Sequence, residues 1–260
     1  MQIALDRAPL TSGLVRSLAA APYTYPAPAG VLDDFEDGVR FTLEACDAVS
    51  GFHVLGKVDC GLGSLAESMC VVLKDQARSA PIVNAAFQNA EPSLSLAVAL
   101  ARLAPLCLLT LPLVVGSSAQ CALALDLATM PHRLVNQHDM RVGYAALTNH
   151  RRSIALASLT LGDDVLSPRL LHGPAHARLS VLASSAAPSW SVDAVAVQWA
   201  SGVETSVSLC TSSATAGFLT HAATLVQKRD AALAKRFSLE ADEWVEISEF
   251  LLVDASSGYE

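Results

Sequence analysis

Basic residues are scarce in this chain. Lys and Arg number 17 against 25 Asp and Glu, so 260 residues carry a net charge of −8. With no Lys/Arg tract to neutralise a phosphate backbone, the composition argues against a nucleic-acid surface. Paired cysteines are missing too. Cys46, Cys60, Cys70, Cys107, Cys121 and Cys210 are scattered, with no C-x-x-C and no zinc spacing, and they read as buried thiols of a reducing compartment. Nor does any apolar run reach bilayer length unbroken. Residues 94–115 come nearest, but Arg102, Pro105 and Pro112 interrupt them, leaving no span of about 20 apolar residues. A core helix followed by a buried strand is expected there. Residues 1–21 lack the continuous apolar segment of a secretory signal. Arg7 and Arg16 suit a mitochondrial presequence, and Asp6 and Pro9 oppose it.

Hydrophobic residues, by contrast, make up 52% of the chain and charged residues only 16%. That composition supports one large domain or two modest ones with a sizeable core. The stretch around which the rest is placed is residues 44–65, EACDAVSGFHVLGKVDCGLGSL. It reads as a helix end, a turn at Ser50-Gly51, an apolar strand through Phe52, Val54 and Leu55, and a loop carrying Gly61 and Gly63. Ser64 is expected to open a second helix, whose Leu65, Met69, Val72 and Leu73 recur at helical period. Helix, strand, glycine loop, helix is how an α/β nucleotide domain turns backbone N–H groups toward a phosphate.

Cys46-Asp47-Ala48-Val49-Ser50-Gly51-Phe52 and the later Asp59-Cys60-Gly61-Leu62-Gly63-Ser64-Leu65 resemble the C-x-x-L-Q-G-F and G-G-G-T-G-S-G blocks of the tubulin superfamily. Within it, Glu44-Ala45-Cys46-Asp47 followed by Gly51-Phe52-His53 is similar to the E-E-C-D…G-F-Q block of the Misato family, divergent tubulin-like proteins of mitochondrial distribution and morphology. Met130-Pro131-His132-Arg133-Leu134 is similar to its V-P-Y-R-L, and Leu209-Cys210-Thr211-Ser212-Ser213 to its L-C-S-S-S. The resemblance covers most of residues 33–260. It implies a truncated tubulin-like α/β portion with a mostly parallel sheet at 33–133, a connecting helix at 134–149, and a smaller α+β domain with C-terminal helices at 150–260. Residues 1–32, with Pro22, Pro26, Pro28 and Gly30, read as an irregular lead-in. Nothing in them resembles the first strand and phosphate loop that such proteins carry.

Within these bounds a helix is expected from Asp33 or Asp34, either of which can cap it, with Phe35, Val39, Leu43 and Cys46 as its apolar stripe. Strands are expected at 81–83 and 106–109 and helices at 92–104 and 119–130. The second domain is expected to contribute short strands at 154–161, 177–183, 192–199 and 206–210. Long helices follow at 215–237, with Phe218, Ala222, Leu225 and Leu233 on one side, and at 242–253, with Trp244, Ile247 and Leu251.

The candidate site is Asp59, Cys60, Gly61, Leu62, Gly63 and Ser64, the counterpart of a phosphate loop. Asp59 sets a carboxylate where phosphates would lie, and such a pair repels unless a metal intervenes. The loop is therefore expected to be degenerate, with no catalytic residue, no metal and no tightly held cofactor; weak GTP binding is the open exception. Cys60 is the thiol to test for reactivity. His172 and His176 have the spacing of a helical metal pair, but Gly173-Pro174 between them opposes a helix. Asp163-Asp164 reads as a turn, and Lys228-Arg229 with Lys235-Arg236 as a solvated helix face. The resemblance implies a cytoplasmic, non-catalytic protein associated peripherally with the mitochondrial surface. It would act on protein partners, tubulin or the chaperonin machinery among them. The competing reading is a residual tubulin-like GTPase or another Rossmann-type nucleotide-binding enzyme.

Overall fold

The computed structural model describes residues 17–21, 23, 29–88, 93–114, 140–144, 154, 156–161, 164–165, 175–183, 188–192, 205–229, 235 and 237–256. Its first layer is a parallel sheet of three strands in the order β1 (Phe52–Lys57), β2 (Ile82–Gln88), β3 (Leu109–Val114). Phe52 pairs with Ile82 and Val83 with Leu109. Parallel neighbours need a crossover rather than a hairpin. Helix α2 (Leu62–Gln76) supplies the first crossover and α3 (Leu94–Leu103) the second, while α1 (Ala29–Glu44) packs on α2. The expected α/β layer is present.

Two boundaries differ from the sequence reading. Helix α1 begins at Ala29, so Asp33 and Asp34 lie inside it and cap nothing. Packing explains the extra turn: Val31 is buried against Leu65, with Leu18, Leu32 and Met69 alongside. The third strand is Leu109–Val114 and not 106–109, because Ala104–Leu106 closes a 3-10 turn. Pro112 then falls inside β3. An end strand tolerates it, since a proline has no N–H to give an outer neighbour.

Helix α3 shows why residues 94–115 look membrane-like in the sequence. Every residue from Ser95 to Leu103 except Arg102 is buried, as expected of a helix that is apolar all round. Ser93 accepts a hydrogen bond from the Leu96 N–H at 3.1 Å, a cap that contributes about 1 kcal/mol. No helix among the described residues is long and apolar enough to cross a membrane.

The second sheet is antiparallel. It contains β4 (Leu156–Leu161), β5 (Asp164–Val165), β6 (Ala175–Ala183), β7 (Pro188–Val192) and β8 (Thr205–Ser212), in the order β5-β4-β8-β6-β7. Among the described residues it has five strands to the parallel sheet's three. A parallel bridge between Thr110 and Ile154 ties β3 to the approach of β4. Of the strand expected at 192–199, only Val192 is in a strand, as the end of β7. The rest of it, and the helices expected at 119–130 and over most of 134–149, lie outside the described residues; Met140–Gly143 form one helical turn.

Helices α4 (Ser213–Gln227) and α5 (Ala241–Ser256) pack on each other and on α3. Leu96 and Leu100 of α3 share one core with Phe218, Leu219 and Ala222 of α4 and with Trp244, Ile247 and Leu251 of α5. Burying each large apolar side chain of this set contributes about 1.5–3 kcal/mol. Helix α4 ends at Gln227, ten residues short of the expected end at Phe237. Leu233 lies outside the described residues, and Leu225 is only half-buried; Thr215, Phe218, Leu219, Ala222, Ala223 and Val226 form the inward face instead.

Candidate functional site

Strand β1 delivers the chain to the glycine loop through Val58, fully buried, whose N–H donates to the Phe87 carbonyl at 3.0 Å. Asp59, Cys60 and Gly61 turn it, and α2 starts at Leu62 with Gly61 as its first cap, two residues before the expected Ser64. The six candidate residues do lie together, in one turn at the head of a helix.

What fills that turn is the chain's own backbone. The Gly61 N–H donates to the Ala21 carbonyl at 2.8 Å, and the Gly63 N–H to the Cys60 carbonyl at 2.9 Å. Ser64 Oγ folds back to the Gly61 carbonyl at 2.9 Å and Ser68 Oγ to the Ser64 carbonyl at 3.0 Å. A helix N-terminus attracts anions because its first N–H groups lack partners. Here the N–H groups of Gly61 and Gly63 already have protein acceptors.

Both glycines are explained by close approach. A Cβ on Gly61 would lie 2.7 Å from the Leu18 carbonyl oxygen, and one on Gly63 would lie 2.6 Å from the Val58 carbonyl oxygen and 2.9 Å from the Tyr23 ring. Leu18, Ala21 and Tyr23 thus lie against the loop, with Tyr23 buried and its N–H donating to Ser95 Oγ at 3.4 Å. The sequence reading missed this segment, having left it in an irregular lead-in. Its one signal is Tyr23, which with Tyr25 interrupts a run of Ala and Pro.

The electrostatics are also inward. Asp59, with a nearly buried side chain, pairs with Lys57 Nζ at 3.6 Å. Burial pushes the Cys60 thiol above its ordinary pKa; the Leu62 N–H and Lys57 pull the other way, and Asp59 adds to the rise. A buried thiol held protonated is a poor nucleophile. We therefore expect iodoacetamide at pH 7 to alkylate Cys60 at least about tenfold more slowly in the folded chain than in urea, with the half-buried Cys46 reacting before the buried Cys60, Cys70 and Cys107. Peptide mapping after a time course reads this, and equal Cys60 rates in both states would refute it.

The other candidates fall apart in space or lie outside the described residues. His176 sits in β6 at an irregularity between Ala175 and Ala177, so it has no helical spacing to His172, which lies outside them. Asp164 lies in strand β5 opposite Leu161 and not in the expected turn, because it pairs with β4, and Asp163 lies outside the described residues. Among the described residues no three His, Cys, Asp or Glu side chains converge as metal ligands. Arg229 departs from the solvated-face reading: its guanidinium lies 4.7 Å from the centre of the Trp244 ring. The sequence reading also missed a charged group formed by Glu67, Arg102 and Glu243, drawn from α2, α3 and α5. No local motif joins these residues, and only the packing of three helices brings them together. No family model matches the chain, and no curated protein matches it.

Proposed function

We propose that this chain is a non-catalytic protein of tubulin-like build that acts through protein–protein surfaces, in the organisation of mitochondria. The observation that supports the non-catalytic half is the glycine loop: the Gly61 and Gly63 N–H groups are spent on the Ala21 and Cys60 carbonyls, and Leu18, Ala21 and Tyr23 pack against the two glycines. The residual-GTPase alternative needs those donors and that space. The mitochondrial half rests on the resemblance of residues 44–65 to the Misato family. Partners drawn from tubulin or the chaperonin machinery, and a peripheral place at the cytoplasmic face of the mitochondrion, follow from the same resemblance.

Depleting the protein from cells that express it tests the cellular half. We expect fragmented or clustered mitochondria, restored by re-expression of the chain with Ser64→Ala, which removes a hydroxyl that serves only the loop's own backbone. Normal mitochondrial networks after complete depletion would overturn the mitochondrial assignment.

A further inference from the structure

A cavity of about 350 Å³ opens where α2, α3 and α5 meet, away from the glycine loop. Leu106, Ile247, Phe250 and the exposed Val71 give it an apolar wall, while Glu67, Glu243, Glu246 and Arg102 supply its charge. Three carboxylates stand against one guanidinium. The guanidinium is already committed: Arg102 Nη2 donates to Glu243 Oε1, and Glu243 Oε2 accepts the Glu240 N–H at 2.8 Å, reaching back to cap α5. These two contacts, the backbone N–H first, hold the Glu243 carboxyl below its usual range.

Glu67 has no such partner. It is 8% exposed, and its Oε2, shielded from solvent, finds no hydrogen-bond partner among the described residues. Burial pushes its pKa up, against a pull from Arg102, and Glu243 pushes it further. A carboxylate taken out of water beside a guanidinium already committed to another carboxylate is only partly compensated, and a cation seated beside it recovers that cost. The wall adjoining it is hydrocarbon. A point charge on an apolar stem therefore fits better than a planar guanidinium, which needs two well-placed oxygens. A metal ion fits less well still, because no three carboxylates converge as ligands among the described residues.

We propose that this cavity binds a primary alkylammonium, its charge against Glu67 and its alkyl stem along Leu106, Ile247 and Phe250, with Glu246 at the exposed rim. A free aliphatic amine and the side chain of a partner protein's lysine share that chemistry. Its fit does not depend on the function proposed above.

Calorimetric titration of the full chain with n-hexylammonium, n-hexanol and n-hexanoate at pH 7 tests it. The ammonium is expected to bind about tenfold or more tighter than the alcohol, as loss of a charged hydrogen bond predicts, with no binding of the carboxylate. Glu67→Gln keeps the shape and is expected to remove that tenfold advantage while leaving the hexanol affinity unchanged. Nα-acetyl-lysine methylamide separates the sources. Binding at least as tight as that of hexylammonium assigns a protein lysine, and markedly weaker binding assigns a free amine. Equal affinity for hexanol and hexylammonium in the unmodified chain would overturn the proposal, even if Glu67→Gln did not fold. So would an undiminished ammonium preference in folded Glu67→Gln.

Discussion

Trp244→Ala is expected to destabilise the chain by about 3–5 kcal/mol, the range for removing a fully buried large aromatic. Trp244 is 1% exposed at the start of α5. Its ring meets Phe237 edge-to-face at a centroid distance of 5.5 Å and carries the Arg229 guanidinium on its other contact surface. Each of those pairs contributes of the order of 1 kcal/mol beyond area alone. A loss of this size is a large part of a typical domain's total stability. Urea unfolding followed by far-UV circular dichroism should show the midpoint falling, because α5 can no longer hold its place on α3 and α4. Trp244→Phe should recover part of the loss. A change below about 1 kcal/mol for the alanine variant would mean that the indole is not packed as described.

Gly63→Ala is expected to cost about 1–3 kcal/mol, the reverse of what helix propensity alone predicts. In an open helical position, Gly→Ala gains up to about 1 kcal/mol. At Gly63 the new methyl would lie 2.6 Å from the Val58 carbonyl oxygen, a backbone atom that cannot swing aside, and 2.9 Å from the Tyr23 ring. The cost is that of overpacking. Gly217→Ala serves as the internal control: it lies within α4, exposed, with nothing within 4 Å of the added carbon, and should stabilise by up to about 1 kcal/mol. Hydrogen exchange adds a local reading, since the Gly61 N–H bonded to Ala21 should exchange faster once Tyr23 is displaced. Stabilisation by both substitutions would show that Tyr23 does not rest on the loop.

The parallel layer was legible because local signals agreed with the packing. The strand after Gly51 and the helix after the glycine loop follow from periodicity. Residues Trp244, Ile247 and Leu251 form the buried stripe of α5 as their spacing requires. The shifted elements show where tertiary contacts override local preference. Two aspartates at 33–34 look like caps, but burying Val31 against Leu65 carries α1 one turn further back. The apolar run after Pro105 reads as an immediate strand, but its register is set by β2, where Val83 pairs with Leu109. At the site, the sequence located the loop, but not what covers the glycines. That cover comes from residues about 40 positions earlier, and no periodic pattern marks them.

Equilibrium binding of labelled GTP in the presence of Mg²⁺ is the most direct test of the closed loop. One exposed helix N-terminus gives an anion only about 0.3–1 kcal/mol, whereas micromolar affinity needs roughly 8 kcal/mol. With the loop's N–H groups turned to Ala21 and Cys60 and Asp59 beside them, no saturation is expected below about 1 mM GTP, roughly 4 kcal/mol. A dissociation constant below about 10 μM, near 7 kcal/mol, would contradict the closed loop and return the chain to the nucleotide-binding proteins.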